Sequence, residues 1–553
     1  MGKRKWLASL LSLFLVTSLA LAGCGSTETA QQGGQSSGGD AKSSEPQILT
    51  VQIRSEPPSL SPTKATDSVS GEILNHLMEG LTRLNDKGEP IPGIAEKWEV
   101  SNDGLTYTFH LRKDAKWSDG QPVTAHDFVY AWLKLLDPNS AADYAYQLFY
   151  LKNGEAYNQG KVKAEDVGVK ALDDYTLQVQ LEKPTPYFLS LCAYKSLFPI
   201  PKHVDEKNPN WHAEASTYVS NGPFVLAEWA HDSKVVLKKN EHYYAKDEIK
   251  LEQINFLMIN DRNTAYQMFE TGQLDALEDN SIPNDLLKQL IDEGKAKVMP
   301  YFGTYYYVFN TKDKIFSNAK IRKAFALAID RQAIVETITQ GGQKPALAFV
   351  PPGAQGANGD FREEGGTYFK DNDVETAKKL LQEGLTELGL SKLPPVELKY
   401  NTDEGHQKIA EAIQQMWKQN LGVEVKLSNQ EWKVYLDSID HGRFQVGRMG
   451  WIGDYVDAMT FLDLFVTGGG NNYPKWSNKQ YDELIAKAKS SNDQAERAKY
   501  MHEAEKILMD EMPIAPIYFY TRQVLEKDYV KGAVRVLLGE PDYTRAWIEG
   551  KQQ

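Results

Sequence analysis

Cysteine is almost missing from this chain: 553 residues contain two, Cys24 and Cys192. A disulfide framework is therefore excluded as the source of its stability. Histidine is sparse and scattered, ten in all, and none forms a His-Glu-x-x-His or Cys-His cluster. Gly-x-x-x-x-Gly-Lys-[Ser/Thr] is absent, and Gly-x-Ser-x-Gly occurs only at Gly34 to Gly38, in a small, polar stretch with no strand or helix pattern around it, so the known nucleophile elbow and phosphate loop are excluded and no cofactor or metal is called for. Gly468, Gly469 and Gly470 read as a loop without phosphate-binding context. Positive charge is in deficit, with a formal net charge of -13. A nucleic-acid partner needs a basic patch, so that class is excluded. No repeat of 20 to 50 residues is visible, which disfavours solenoids and propellers.

The one long apolar run is at the start. Lys3, Arg4 and Lys5 precede an apolar stretch from Trp6 to Ala22 interrupted by Ser9, Ser12, Thr17 and Ser18. That is the build of an export signal, shorter than the roughly 20 residues a comfortable spanning helix needs. Leu21-Ala22-Gly23-Cys24 resembles a bacterial lipobox. The resemblance implies cleavage after Gly23, a diacylglycerol on the Cys24 thiol, and an extracytoplasmic protein moored by its amino terminus. Two or more acyl chains anchor stably where one does not. Residues 25–46 are almost wholly small and polar and read as a flexible tether.

The remaining body of about 500 residues exceeds one hydrophobic core, so two or three domains are expected. Leu49, Val51 and Ile53 alternate, as do Leu105 to Leu111 and Tyr175 to Leu181, predicting half-buried strands. Thr124 and Asp127 form a capping box ahead of Phe128, Ala131, Trp132, Leu135 and Leu136, an amphipathic helix. Ile321, Phe325, Ala328 and Ile329 form one helical face, and Val374 to Leu388 carry another. Val396 to Tyr400, then Ile409 to Trp417, then Val423 to Leu427 read as strand, helix, strand, a parallel α/β unit. Cys192 lies in an apolar context and reads as a small buried hydrophobe. With 11 Trp and 28 Tyr, runs such as Tyr305-Tyr306-Tyr307 and Tyr518-Phe519-Tyr520 are candidates for a cleft lining or for the core.

Ala95 to Trp132 reads Ala-Glu-Lys-Trp-Glu-Val-Ser-Asn-Asp-Gly-Leu-Thr-Tyr-Thr-Phe-His-Leu-Arg-Lys-Asp-Ala-Lys-Trp-Ser-Asp-Gly-Gln-Pro-Val-Thr-Ala-His-Asp-Phe-Val-Tyr-Ala-Trp. Together with Ser220 to Phe224, Phe269 to Asp275, Ile321 to Arg331 and Gly450 to Tyr455, it resembles the family-5 extracellular solute-binding proteins, receptors of ABC importers for oligopeptides, dipeptides or nickel. The resemblance covers nearly all of the chain after the tether. It implies an α/β bilobal fold of the periplasmic-binding-protein type, three domains with a hinged cleft between two lobes. The expected division is 47–80 with 205–300 and 522–553 as a discontinuous first domain, 81–204 as the second, and 301–521 as the second lobe.

The resemblance also implies a site. Asp454 would pair with a peptide α-ammonium, Gly450, Trp451 and Ile452 would hydrogen-bond its backbone, and Arg448 is placed to reach its carboxylate. Thr66, Asp67 and Ser68 would offer backbone contacts from the opposite side, the ligand lying between two strands. Tyr144 and Tyr520 match tyrosines near the ligand. Thr66 stands where some relatives have glutamate. The implied function is a monomeric, non-enzymatic receptor that hands oligopeptides to transmembrane permease and ATPase subunits. Another solute (a dipeptide, nickel chelate, heme or oligosaccharide) and a pheromone sensor without transport stay open as alternatives.

Overall fold

The computed structural model describes residues 46–551; the expected signal, Cys24 and the tether up to residue 45 lie outside the described residues. Ile48–Ile53 (β1) opens the chain, and Ser68–Leu77 (α1) follows. A small antiparallel sheet is built from Ala95–Val100 (β2), Thr106–Leu111 (β3), Val169–Asp173 (β4) and Thr176–Gln180 (β5), in the order β2-β3-β5-β4. Helix α2, Ala125–Leu136, lies in the β3–β4 connection and buries Phe128, Ala131, Trp132 and Leu135. The expected capping box holds it: the Thr124 N–H donates to Asp127 Oδ2 at 2.9 Å.

The chain then supplies Phe224–Ala230 (β6), Lys234–Lys239 (β7), Gln253–Met258 (β8), Ala276–Glu278 (β9) and the 14-residue Ala296–Phe309 (β10). Ala319–Leu327 (α3) and Val374–Leu388 (α4) precede Val396–Asn401 (β11), Glu404–Leu421 (α5), Val425–Gln430 (β12), Trp432–Asp440 (α6), Val446–Ile452 (β13) and Ile514–Glu526 (β14). These strands form one sheet in the order β12-β11-β13-β10-β14-β9-β1-β8-β7-β6. β1 pairs on both edges, parallel to β8 and β9. It is therefore more than half-buried: Gln52 is buried beside Leu49, Val51 and Ile53, and its amide donates to the Ile259 carbonyl.

The parallel unit forms as its periodicity predicts. β11 and β12 run parallel with Val396 opposite Val425, and α5 packs Ile409, Ile413 and Trp417 inward, ending at Gly422. The strand starts two residues later than expected, at Val425, because Val423 belongs to the turn out of the helix. Helix α3 likewise stops at Leu327, so Ala328 and Ile329 are buried in the turn that follows it.

β10 and β14 pair antiparallel along almost their whole length, and they connect the two halves of the sheet. Their register breaks between Pro300 and Thr304. Proline has no N–H to donate, so the ladder cannot run unbroken through Pro300. At Gly303 a β-carbon would sit 2.4 Å from Ile452 and 2.9 Å from Tyr520, so only glycine lets β13 and β14 approach there.

Candidate ligand-binding cavity

A cavity with about 170 Å³ of water-accessible space opens where the end of β13 faces α1 and the 144–195 region. All ten residues expected at the site line it: Thr66, Asp67, Ser68, Tyr144, Arg448, Gly450, Trp451, Ile452, Asp454 and Tyr520. They come from four separate stretches of chain. Sequence reading missed Lys195, Tyr194, Arg54, His406 and Glu540, which share the lining.

The wall of greatest consequence is β13. It pairs with β10 from Val446 to Ile452, but its other ladder, to β11, ends at Gly447. From Arg448 onward one edge of a well-formed strand therefore faces the cavity. An open edge offers alternating N–H and C=O groups and invites another strand. Gly450 is essential to its shape: a β-carbon there would lie 2.3 Å from the Tyr520 hydroxyl. The bare backbone lets Tyr520 cross the strand and accept from Arg448 Nη2 at 2.8 Å.

Asp454 follows the strand and is 7 % exposed. Its carboxylate accepts from Gln147 Nε2 at 2.6 Å and from the Tyr144 hydroxyl at 3.3 Å. Ser196 donates to Gln147 Oε1 at 2.7 Å, which turns the amide N–H toward Asp454. Burial pushes the Asp454 carboxyl up to about 6, against the opposing pull of Lys195 and these donors. A buried carboxylate with no ion pair within 4 Å among the described residues is a prepared seat for a cation.

Arg448 is 7 % exposed, lies over the Tyr305 ring at 4.5 Å and donates to Asn401 at 3.3 Å. Among the described residues its Nε has no partner and no carboxylate lies within 4 Å of the guanidinium. At the far end, burial pushes Glu540 up to about 7 against the pull of Arg522, and Tyr301 donates to it at 3.1 Å. Burial also pushes His406 well below its usual value.

One expectation needs correction. Thr66 to Ser68 are not a strand opposite β13: Asp67 is the N-cap of α1 and accepts from the Ser70 N–H at 3.0 Å, and Ser68 begins the helix. Aspartate three residues before serine at the head of an apolar periodic run is an N-cap pattern, and it outcompetes extension. Asp67 also accepts from Trp432 Nε1 at 3.3 Å, while its Oδ2 is buried without a partner. Of the two aromatic runs, Tyr520 lines the cavity and Tyr305, Tyr306, Tyr307 and Tyr518 are core residues. Cys192 is a buried free thiol, as expected, and burial raises its pKa.

Residues 89–473 match the family model for bacterial extracellular solute-binding proteins, family 5, middle region. The chain belongs to this family. The family-5 chain is 45% identical to the oligopeptide-binding protein OppA of Bacillus subtilis over 99% of its own length and 100% of the relative's. The solved structure of Listeria monocytogenes OppA bound to peptide superposes with a TM-score of 0.87 at 37% identity, covering 92% of this chain and 100% of that one. Two structures of the murein tripeptide-binding protein MppA differ in their fit: that of the Escherichia coli protein gives a TM-score of 0.83 at 36% identity, over 91% and 99% of the two chains. The other, described as an unliganded open form, gives 0.59 at 37% over 91% and 98%. The fold is thus the bilobal α/β fold of this receptor family, and the protein is an extracytoplasmic solute-binding protein.

Proposed function

We propose that this family-5 protein captures oligopeptides in the cavity and delivers them to the permease and ATPase subunits of an ABC importer. The observation that carries this is the open edge of β13 with a buried carboxylate at its end. An extended peptide adds to that edge by main-chain hydrogen bonds, so affinity depends little on sequence. Asp454 takes the α-ammonium, and Gly450, Trp451 and Ile452 hold the backbone. The unpaired Arg448 guanidinium takes the carboxylate. Arg448 and Asp454 are six positions apart, at most about 20 Å at ~3.3 Å per residue, so peptides of about five residues engage both. Tyr144, Tyr520 and the helix-cap segment Thr66–Ser68 complete the enclosure, with Asp67 Oδ2 free to accept.

Closure is a rotation of 301–521 against the remainder about the break in β10 and β14. Support comes from the contrast between the two MppA structures, since this chain fits the open form far less well at equal identity. The receptor is monomeric and held to the membrane by lipid on Cys24. The names of the OppA relatives support the peptide reading. The test is to denature the purified protein, identify what it releases by mass spectrometry, and titrate free and N-acetylated peptides. Free peptides should bind and acetylated ones should not; indifference to peptides would end this reading.

A further inference from the structure

Lys195 is an outlier in the cavity wall. It is 5 % exposed, yet among the described residues no carboxylate lies within 4 Å of its ammonium. An ammonium has three donors, and the hydrogen bond made here is to the Tyr194 hydroxyl. The rings of Tyr194 and Tyr144 lie 4.1 and 5.6 Å from Nζ, and they hold the ammonium without neutralising it. Leaving a buried ammonium unpaired is costly.

Its position relative to Asp454 gives the group a use. Tyr144 and Tyr194 are 3.0 Å apart, oxygen to oxygen, and the Tyr144 hydroxyl donates to Asp454. Lys195 donates to Tyr194, and Tyr194 and Tyr144 both bond to the Asp454 carboxylate. A cation on one side and an anion on the other are thus held apart by two phenols. The stem of Lys195 rests on Gly71, where an added β-carbon would sit 3.4 Å from Cδ, so the side chain has little room to withdraw.

We propose that Lys195 is a specificity-determining residue that selects peptides with an acidic side chain at one of their first two positions. This rests on the reading that Asp454 holds the α-ammonium. The amine occupies the anionic side of the two phenols, and a neighbouring side-chain carboxylate occupies the cationic side. Two charges of opposite sign on the ligand then meet two on the protein, and each buried group gains its partner.

The test is calorimetric titration of pentapeptides differing at one place: Glu against Gln at position two, and Glu against Met at position one. A hydrogen bond to a charged group predicts that one of the Glu peptides binds at least about tenfold tighter than its neutral counterpart. In Lys195→Met the ratio should collapse to near one, whatever the absolute affinities become. Lys195→Gln serves if the Met variant does not fold. Equal affinity in the unsubstituted protein would overturn the proposal and leave peptide binding intact, as expected if Lys195 only meets a ligand carbonyl. A preference that persists in both variants would also overturn it and point to another cation. Binding of none of these peptides would remove the underlying reading as well.

Discussion

Acidification should weaken peptide binding through Asp454, and the effect can be worked from its surroundings. In the empty cavity burial holds this carboxyl at about 6. A bound α-ammonium favours the ionised form, so the pKa falls in the complex and binding below pH 6 must expel a proton. Affinity is then complete above about pH 7 and falls roughly tenfold per unit below 6. The protonated fraction before binding is about 0.9 at pH 5 and about 0.1 at pH 7, and these are the protons released per peptide. Calorimetry in buffers of different ionisation enthalpy reads that number directly. Glu540, held at about 7, lines the same cavity and titrates in the same range. Asp454→Asn supplies the subtraction: it should cost at least about 30-fold in affinity and abolish the proton release that belongs to Asp454. Affinity that stays level from pH 5 to 7, with no proton released, would refute the assignment of the amine to Asp454.

Three further outcomes follow from the packing. Gly450→Ala sets a β-carbon against the Tyr520 hydroxyl and should separate it from Arg448; the affected bond is worth about 1.5 to 3 kcal/mol, so peptide affinity should fall about tenfold or more with a near-normal melting curve. Tyr455→Ala removes a ring stacked on Tyr187 at 4.2 Å between centroids and should favour an opened state, seen as a larger radius of gyration in small-angle scattering of the unliganded protein; an unchanged radius would count against closure through this contact. Arg262→Ala strands Asp403, now paired at 2.7 Å with both groups buried, and should cost about 3 to 5 kcal/mol in urea unfolding; a loss under about 1 kcal/mol would show that the pair contributes little.

The parts of the fold legible in the sequence are those whose signals are local. Ile409, Ile413 and Trp417 repeat at helical spacing, and Thr124 with Asp127 spells its own cap, so β11, α5, β12 and α2 could be read directly. The ten site residues were reached through resemblance, and they share one cavity although they are scattered over 455 positions, from 66 to 520. Lys195 and Tyr194 were not legible: Tyr194-Lys195-Ser196-Leu197 has no period, and a short 3₁₀ turn decides which way each side chain faces. Arg54 and Glu540 come to line one cavity through the return of the carboxyl-terminal segment, a proximity no local pattern records. The helix at Ser68 was legible and overlooked: Asp67, Ser70 and the apolar Val69, Ile73, Leu74 and Leu77 announce it.

The lone thiol has a practical consequence. Cys192 is the one cysteine among the described residues, and it lies in the core with nothing to pair with. Nothing in this body needs an oxidant to reach its final state or a particular pairing to be found on the way. Denaturation is therefore a clean way to empty the receptor: urea can strip whatever cargo it carries from the cell, and dilution into reductant should return a competent, vacant protein for every titration above.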